Sequence, residues 1–293
     1  MTSLDSVHDR RTLLLTGRGL NALDAAVDLA EVEAVHLDDC GLTALPDLIW
    51  RLPNLRALNV GGNPLGTLPE AIGALTGLEE LYVHSSGLTA LPESIGELHR
   101  LRTLDLGHNL LSALPDALAR LSQISDFLYL SDNHLNAIPD ALFAALTHLR
   151  YLGLTHNALT TLPESLGAMV SLRELRLYNN RLSALPDSLG SLADLRELHL
   201  MHNVLTALPD SVGQLTRLTH LDLRDNRLPS LPEPLQALSA LTFLDLRANA
   251  LRDLPPWLAD LPALKKLDLR WNRLRTIPPW IRRLESNGCI VYH

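Results

Sequence analysis

Aromatic residues make up only 4% of this chain, although 46% of its 293 residues are hydrophobic. Large aromatic side chains usually supply much of a globular core, so their scarcity indicates a core built almost entirely from leucine. The leucines recur periodically and never form the apolar run of about 20 residues that a membrane span requires. The first residues, MTSLDSVHDRRTLLL, include acidic residues and no apolar stretch of signal-peptide length. We therefore expect a cytoplasmic protein with no membrane partner.

Cysteine is also scarce, because Cys40 and Cys289 are the only two in the sequence and lie near its opposite ends. The stacked repeats between them, at about 5 Å per strand, would keep them too far apart for a disulfide. The lack of a disulfide framework favours a reducing compartment. The net charge of −8 argues against a general nucleic-acid binder, so no nucleic-acid partner is predicted.

One motif recurs along nearly the whole sequence. Aligned on one marked position it reads LxxLxLxxNxLxxLPxxLxxLxx, and residues 172–194, LRELRLYNNRLSALPDSLGSLAD, follow it closely. Successive marked positions are 23 residues apart, except for two steps of 24. Nine of the eleven marked residues are asparagine, and Cys40 and Ser86 are the exceptions. The marked positions are 40, 63, 86, 109, 133, 157, 180, 203, 226, 249 and 272.

The repeat predicts a single elongated body of stacked turns, in which each turn contacts its neighbours. The segment LxxLxL is typical of a short strand whose alternate leucines point inward. The two longer steps come from single insertions, one between Ile124 and Leu128 and one around Phe143. The predicted organisation has three parts: 1–31, a leader and N-terminal capping half-repeat; 32–286, eleven repeats; and 287–293, a closing strand.

Three polar or special positions of the repeat have structural roles. An asparagine side chain donates and accepts hydrogen bonds, so it can satisfy the backbone where the chain turns out of the strand, and cysteine or serine does this less well. A proline in all eleven repeats suits the first position of a short outer helical turn. The acid after it would complement the N–H groups of that turn, with an acidic docking stripe as the alternative. These acids are Asp47, Glu70, Glu93, Asp116, Asp140, Glu164, Asp187, Asp210 and Glu233.

The two ends of the sequence differ from its body. Residues 11–23, RTLLLTGRGLNAL, resemble half a repeat with Arg18 in the asparagine position, as a capping turn would have. The final residues, GCIVYH, are rich in β-formers and predict a thirteenth strand. We expect Ile290 and Tyr292 to point inward in that strand and to close the core.

The pattern LPxxLGxLxxLxxLxLxxNxL resembles the 23-residue type of leucine-rich repeat found in intracellular Ras-group, scaffold-like and bacterial repeat proteins. The resemblance implies an α/β solenoid, a right-handed superhelix with a concave parallel β-sheet and a convex side of short 3-10 or helical turns. Members of this family usually bind other proteins on the concave side. The departures from the family pattern are Cys40, Ser86 and the lack of any flanking effector, kinase or ligase domain.

Positions six, four and two residues before the marked asparagine should point outward from the strands, with a rim position one residue before it. Four of the five tyrosines and seven of the twelve histidines lie in these columns. Tyrosine and tryptophan are favoured interface anchors, and cross-strand stacking that only supports the sheet is the alternative. The candidate partner-binding residues are Tyr82, His84, Tyr129, Tyr151, Arg176, Tyr178, His199, Met201, Asp222, Arg224, Arg247 and Trp271.

Three successive repeats near the C-terminus read LDLR, with aspartates at 222, 245 and 268 and arginines at 224, 247 and 270. They predict either a self-neutralising surface ladder or a docking strip for carboxylate or phosphate groups. Residues 247–293 contain nine basic and four acidic residues, a balance that could orient an acidic partner.

Neither a metal nor a catalytic centre is predicted. His199, His202 and His220 form the closest histidine grouping, but outward side chains on strands point in parallel rather than towards one centre. The sequence has no phosphate-binding glycine loop and no nucleophile elbow, and both cysteines have structural settings. No cofactor is therefore expected.

The sequence predicts a non-catalytic, monomeric interaction module that binds a protein or peptide partner on its concave face. A bacterial-type effector, delivered into a host cell to mimic or block a host repeat protein, is the alternative. An enzyme built on the histidine grouping and a purely structural repeat with no ligand are less favoured alternatives.

Overall fold

The computed structural model describes residues 12–14 and 29–293 of the chain. The chain divides into two compact units, Met1–Leu135 and Asn136–His293, here called the N-terminal and C-terminal units. Most of the predicted leader and capping half-repeat, including Arg18, lies outside the described residues.

The described part of the N-terminal unit contains six short parallel strands, and each is paired with the next one along the chain. Short 3-10 helices lie between the strands at Leu29–Glu31, Ile49–Arg51, Glu70–Ala74, Glu93–Glu97 and Asp116–Arg120. The strands are β1 (Thr12–Leu14), β2 (Ala34–His36), β3 (Ala57–Asn59), β4 (Glu80–Tyr82), β5 (Thr103–Asp105) and β6 (Phe127–Tyr129).

The C-terminal unit repeats this arrangement with seven parallel strands, again paired in chain order. Its helices are α1 (Asp140–Ala145), α2 (Ile281–Ser286) and 3-10 helices at Glu164–Ala168, Asp187–Ser191, Asp210–Gln214, Glu233–Ala237 and Pro256–Asp260. The strands are β7 (Tyr151–Gly153), β8 (Glu174–Arg176), β9 (Glu197–His199), β10 (His220–Asp222), β11 (Phe243–Asp245), β12 (Lys266–Asp268) and β13 (Ile290–Tyr292). Among the described residues no helix has the length and apolarity needed to cross a membrane.

The leucine core is confirmed in both units. The central residue of each strand from β2 to β12 is buried, as Leu81 in β4 and Leu198 in β9 illustrate. The residues on either side of it point to the opposite face of the strand. Burial of each leucine stabilises the fold by about 1.5–3 kcal/mol. The core positions are therefore fixed by the repeat, and the outward positions are free to vary.

The predicted asparagine function is confirmed in detail at Asn63. Its side-chain oxygen accepts hydrogen bonds from the N–H groups of Cys40 (3.0 Å) and Leu42 (2.9 Å) in the preceding repeat. Its amide nitrogen donates to the carbonyl oxygens of Leu37 and Val60, both at 2.8 Å. One fully buried amide thus satisfies backbone groups of two repeats at the point where both turn out of their strands.

Ser86 cannot make the same bridge to the preceding repeat. Its hydroxyl donates to the His84 carbonyl at 3.1 Å, within its own turn. The preceding turn compensates through its backbone: the Leu65 N–H bonds to the Asn63 carbonyl and the Gly66 N–H to the Ser86 carbonyl. Gly66 has a φ of +68°, which glycine adopts without a steric penalty.

The prolines lie one position earlier than predicted. Nine of them are N-cap residues with φ between −74° and −58° and extended ψ between 132° and 155°, so the helical turn begins after the proline. The proline carbonyl accepts the first helical hydrogen bond, as between Ile72 N–H and Pro69 oxygen at 3.1 Å. The ring therefore fixes the entry to the turn rather than its first helical residue.

Eight of the nine predicted acids lie in the first turn of a helix. Asp47 is the exception, because its helix begins at Ile49. None of the eight caps its own helix through a side-chain hydrogen bond; instead, Glu70 accepts from the Ser94 N–H of the next repeat at 3.1 Å. Hydrogen bonds from Ser94 lower the pKa of Glu70. These acids can therefore form contacts between repeats, which the sequence did not predict.

The insertion around Phe143 changes one outer turn from a five-residue 3-10 helix to the six-residue helix α1. Phe143 is fully buried, so the extra residue brings an aromatic ring into the leucine core. A longer turn accommodates this larger side chain without shifting the strand pattern that follows.

The predicted closing strand is present, but its register is opposite to the one predicted. Residue Ile290 pairs with Lys266 and Tyr292 with Asp268, so both side chains point outward and are 57% and 40% exposed. Val291 takes the inward position opposite Leu267. A shift of one residue exchanges the two faces of a strand, which explains the complete inversion.

The residue before each marked position has a left-handed backbone in every described repeat. Most of these residues are not glycine; Asp39, His156, Ala248 and Trp271 have φ values of 52°, 51°, 52° and 60°. This conformation costs about 1–2 kcal/mol for a residue with a β-carbon. It turns the chain so that the following asparagine side chain can enter the core.

Replacing Asn203 by alanine should destabilise the protein by about 3 kcal/mol, because it leaves several buried backbone groups without a hydrogen bond. The lost partners are the Leu182 N–H and the Leu177 and Leu200 carbonyls, all at 3.0 Å. Chemical denaturation gives the change in unfolding free energy, and exposed Asn136→Ala is the control. A loss below about 1 kcal/mol would contradict this bridging function.

Ala248→Gly should stabilise the protein by up to about 1 kcal/mol, since glycine relieves the positive φ at the cost of some unfolded-state entropy. Ala250, two residues away and without a positive φ, is the matched control. Ala250→Gly should destabilise by about 0.5–1 kcal/mol. Thermal unfolding of both variants tests the opposite signs, and a loss of stability in both would contradict the strain argument.

Candidate functional site

The outward residues of the strands form the candidate site, called here the strand face. It consists of the side chains six, four and two residues before each marked position, together with the rim residue one before it. Because each strand is short and its neighbours are parallel and in register, the same column of adjacent repeats is spaced by about 4.8 Å. Neighbouring side chains of one column can therefore contact each other.

In the N-terminal unit, Tyr82 donates a hydrogen bond to Glu80 at 3.0 Å. Burial, followed by this bond and the charge of Glu80, raises the pKa of Tyr82 to about 12. The imidazole of His84 lies so close to Gly61 that a β-carbon there would be 2.4 Å from the ring nitrogen Nε2. Tyr82 and His84 are thus held in place by their neighbours.

Phe127 and Tyr129 lie on the same strand, β6, and their rings are stacked with centroids 5.8 Å apart. Phe127 is 42% exposed although it is strongly apolar. The single insertion between Ile124 and Leu128 is accommodated just before these two rings. Tyr129 is half-buried, and neither ring belongs to the leucine core.

In the C-terminal unit, the guanidinium of Arg176 lies over the ring of Tyr151, 5.4 Å from its centroid. The same guanidinium binds Glu174 at 2.5 Å. Burial alone would lower the pKa of Arg176, but the hydrogen bond to Glu174 and nearby charges, including that of Glu174, outweigh it and raise that pKa. Tyr178 packs edge-on against His156, with centroids 5.2 Å apart. The predicted residues of β7, β8 and their turns are therefore brought together by specific contacts.

Glu174, Glu197 and His199 are the one group of potential metal ligands among the described residues, with ligand atoms within 4.8 Å of one another. This group differs from the histidine grouping considered from sequence, which combined His199 with His202 and His220. Each member is already half of an ion pair on its own strand: Glu174 with Arg176, and Glu197 with His199 at 3.2 Å. The donors suit a divalent metal chemically, but their present contacts account for the arrangement without one.

The LDLR repeats form an ion-pair ladder whose carboxylates are buried, contrary to the surface ladder predicted. Asp245 and Asp268 are 1% and 2% exposed, and Asp222, a predicted partner-binding residue, is buried too. Arg247 binds Asp245 with two nitrogens, at 2.9 Å and 2.5 Å, and approaches Asp268 at 3.4 Å. Arg224 is held less tightly, because its Nε lies 3.6 Å from Asp222.

Burial and the charges of the arginines act in opposite directions on these carboxyl groups. Burial, together with the charge of Asp245, raises the pKa of Asp222. Burial would also raise the pKa of Asp268, but hydrogen bonds from Arg270 and the charges of Arg247 and Arg270 outweigh it and lower that pKa. The arginines of this ladder consequently stabilise the fold, which leaves less of their charge for a partner.

The last strands carry a group of rings and cations that the sequence predicted only in part. Lys266 lies over the rings of Phe243 and Tyr292, at 5.1 Å and 5.7 Å, and Arg270 over those of Tyr292 and Trp271, at 4.8 Å and 5.5 Å. Trp271 is 71% exposed. Tyr292 was expected inside the core, so its outward position and its contacts were missed. Met201 lies half-exposed on the strand face, two positions beyond His199.

Models of leucine-rich repeats match most of the chain. A leucine-rich repeat region matches residues 130–227 and a leucine-rich repeat matches 76–127. A two-copy model matches 216–257, and a single-repeat model matches 54–75 and 263–284. The chain is a leucine-rich-repeat protein. The predicted family and the α/β repeat fold, with a parallel sheet and short 3-10 turns, are therefore confirmed.

Several solved structures of other leucine-rich-repeat proteins are similar. A leucine-rich-repeat protein of Leptospira interrogans has 25% identity and a TM-score of 0.57, covering 97% of this chain and 90% of its own. The plant peptide hormone receptor RGFR1, in complex with RGF2, has 31% identity and a TM-score of 0.74 over 83% of this chain and 40% of the receptor chain. TLR13, in complex with ssRNA13, has 26% identity and a TM-score of 0.71, covering 88% and 43%. No curated protein sequence matches this leucine-rich-repeat chain.

Arg247→Ala should destabilise the leucine-rich-repeat protein by about 2–4 kcal/mol at neutral pH, because it leaves buried carboxylates without their cation. Arg224→Ala, in the same column but with a looser contact, should cost about 1 kcal/mol or less. The charge of Arg247 helps to lower the pKa of Asp268, so its stabilising effect is present at neutral pH and is lost as the pH falls below about 4.

Denaturation at pH 7 and pH 3 measures both effects. The difference between wild type and Arg247→Ala should shrink at pH 3, because the stabilisation linked to the lowered pKa of Asp268 is progressively lost as the pH falls below the unfolded-state pKa. Equal losses for the two arginine variants, or a difference independent of pH, would contradict the buried ladder.

Proposed function

We propose that this leucine-rich-repeat protein is a non-catalytic interaction module that binds a protein or peptide partner on its strand face. The observation that carries the proposal is the set of outward aromatic and cationic side chains, which the leucine core does not need. Tyr151, Tyr178 and Trp271 are held by specific contacts with arginine or histidine rather than left to rotate freely. Residues of these types contribute most to binding at protein interfaces.

The pre-formed strand face also supports this function energetically. Binding costs free energy when side chains must be ordered, about 0.5–1.5 kcal/mol for each one immobilised. The cation–π contacts and ion pairs of the strand face already restrict its side chains before a partner arrives. The plant receptor named above was solved with a peptide hormone, which adds support at the level of the family.

Among residues 12–14 and 29–293, no specific contact favours the other functions considered from sequence. The potential metal ligands are engaged in ion pairs. Neither cysteine is in a disulfide, and burial raises the pKa of both thiols, which disfavours a reactive thiolate. Binding as a monomer in the cytoplasm is part of the proposal.

The test is the combined substitution of Tyr129, Tyr151 and Tyr178 by alanine. The triple variant should keep its circular dichroism spectrum and unfolding temperature, because all three side chains lie outside the core. Immobilised wild-type protein and variant are compared for capture of proteins from the native cytosol, with quantitative mass spectrometry. Binding of the principal captured protein, then purified, should weaken at least tenfold in the variant.

The matched control is Val170→Ala, which removes an apolar side chain that is 50% exposed but lies away from the strand face. Its capture profile should equal that of the wild type. Unchanged affinity of the tyrosine variant for the purified partner would refute the strand face as the binding surface.

A further inference from the structure

The end of the C-terminal unit carries positive charge that its own acids do not neutralise. Residues 247–293 contain nine basic and four acidic residues. Four of the basic residues are held in ion pairs: Arg247, Arg270, Arg275 and Arg283. Within the described part of the chain the other five form no ion pair, namely Arg252, Lys265, Lys266, Arg273 and Arg282. This excess of cations favours an anionic partner at this end of the strand face.

Of these five residues, Lys266 alone lies over aromatic rings within the described residues. Its ammonium group is 5.1 Å from the ring centroid of Phe243 and 5.7 Å from that of Tyr292. Its register partner on β13 is the exposed Ile290. The half-buried ammonium is therefore surrounded by apolar groups that attract it but carry no negative charge. A carboxylate that reaches this position would find a cation not already paired within the protein.

A second cation of the strand face lies four residues further along the chain. Arg270 binds Asp268 through Nε at 3.0 Å and Nη2 at 2.6 Å, and its Nη1 forms no hydrogen bond within the described residues. Its guanidinium lies 4.8 Å from the ring centroid of Tyr292. Tyr292 is paired with Asp268, midway between Lys266 and Arg270, so both cations contact the same ring. The rise of an extended chain places these two residues about 13 Å apart.

We propose that Lys266, Arg270 and Tyr292 bind an extended acidic segment of the protein partner, with carboxylates at positions i and i+4 and an apolar residue at i+2. Alternate residues of an extended chain point to one side, and four residues span about 13 Å. The two carboxylates therefore match the two cations in spacing. The apolar side chain between them contacts the exposed ring of Tyr292. Four residues of a helix rise only about 6 Å, which does not match.

The neighbouring residues favour a short acidic peptide over a nucleic acid. Trp271 is exposed beside Arg270 and extends the apolar surface beyond the second carboxylate. Rings and cations also bind single-stranded nucleic acids, but the net charge of −8 repels a long polyanion. A short peptide experiences mainly the local positive charge, because salt screens the more distant charges. The inference rests on the proposed function and specifies the chemistry of its partner.

The test uses two labelled peptides of identical composition with blocked ends. The first contains ESLSE, and the second contains EESLS, which places the two carboxylates on adjacent residues. Fluorescence anisotropy measures binding to the intact protein at low and high salt. The first peptide should bind at least fivefold more tightly than the second, and its affinity should fall with salt because the contacts are exposed. Equal affinity for both peptides, or no binding of either, would overturn the proposal.

Lys266→Met should weaken binding of the first peptide at least fivefold, because methionine keeps an unbranched apolar side chain against the rings but removes the charge. The matched control is Lys265→Met, the same change at the adjacent residue, which is exposed and precedes β12. The control should bind within twofold of wild type, and both variants should keep the wild-type unfolding temperature. Equal losses in the two variants would reduce the effect to net charge and refute the site.

The contact with Arg270 is tested through the peptide, because replacing this arginine would leave the buried Asp268 without its cation. A third peptide, ESLSQ, should bind the wild-type protein at least threefold more weakly than ESLSE. In Lys266→Met only one cation of the pair remains, so the two peptides should bind within twofold of each other. An unchanged ratio in that variant would contradict binding by two cations. A single-stranded oligothymidylate that binds through Lys266 more tightly than ESLSE would overturn the proposal in favour of a nucleic acid.

Failure of this inference can be distinguished from failure of the proposed function. If the tyrosine variant loses its cytosolic partner while ESLSE never binds, only the acidic segment is refuted. If ESLSE binds through Lys266 while the tyrosine variant keeps full affinity for its partner, only the tyrosine anchors are refuted.

Discussion

The structure depends on the hydrogen bonds that one buried amide makes at each turn out of a strand. A parallel strand of three residues leaves polar backbone groups at its end, inside a leucine core where no water can satisfy them. The asparagine solves this problem for two repeats at once, because its oxygen serves the preceding turn and its nitrogen serves both. Ser86 shows the requirement by exception, since its side chain bonds within its own turn and the preceding Leu65 N–H bonds to the Asn63 carbonyl instead.

This constraint determines where sequence variation can occur. The asparagine enters the core only if the preceding residue is left-handed, and that residue consequently remains on the exposed rim whatever its type. Histidine, aspartate, alanine and tryptophan all tolerate the strained position, at a cost that glycine would avoid. Leucine, proline and asparagine occupy the other fixed positions. Residues that can vary to recognise a partner are thus confined to the outward columns and the strand entrances.

The period of the sequence was sufficient to predict the family, the strands and the core, because those features depend on local alternation and stacking. The period did not predict features that depend on which side chains contact one another. The buried state of Asp245 and Asp268 depends on the arginine forks that cover them, which spacing alone does not reveal. The inverted register of β13 arose because α2 delivers the chain to the sheet one residue later than a regular repeat would. Residues Tyr82, Tyr151 and Tyr178 lie on the strand face as predicted, and their function in binding remains a prediction.

The two units differ in the charges of the residues at the strand entrances, seven residues before each marked position. At the strand entrances of the N-terminal unit, alternating charges pair with each other, and the surface is complete by itself. In the C-terminal unit, the same position is arginine in three successive repeats, at Arg150, Arg173 and Arg196. Because exposed ion pairs contribute little to stability, either arrangement is compatible with the fold. The difference between them therefore changes mainly what the surface attracts, and electrostatic complementarity governs specificity and association rate more than fold stability.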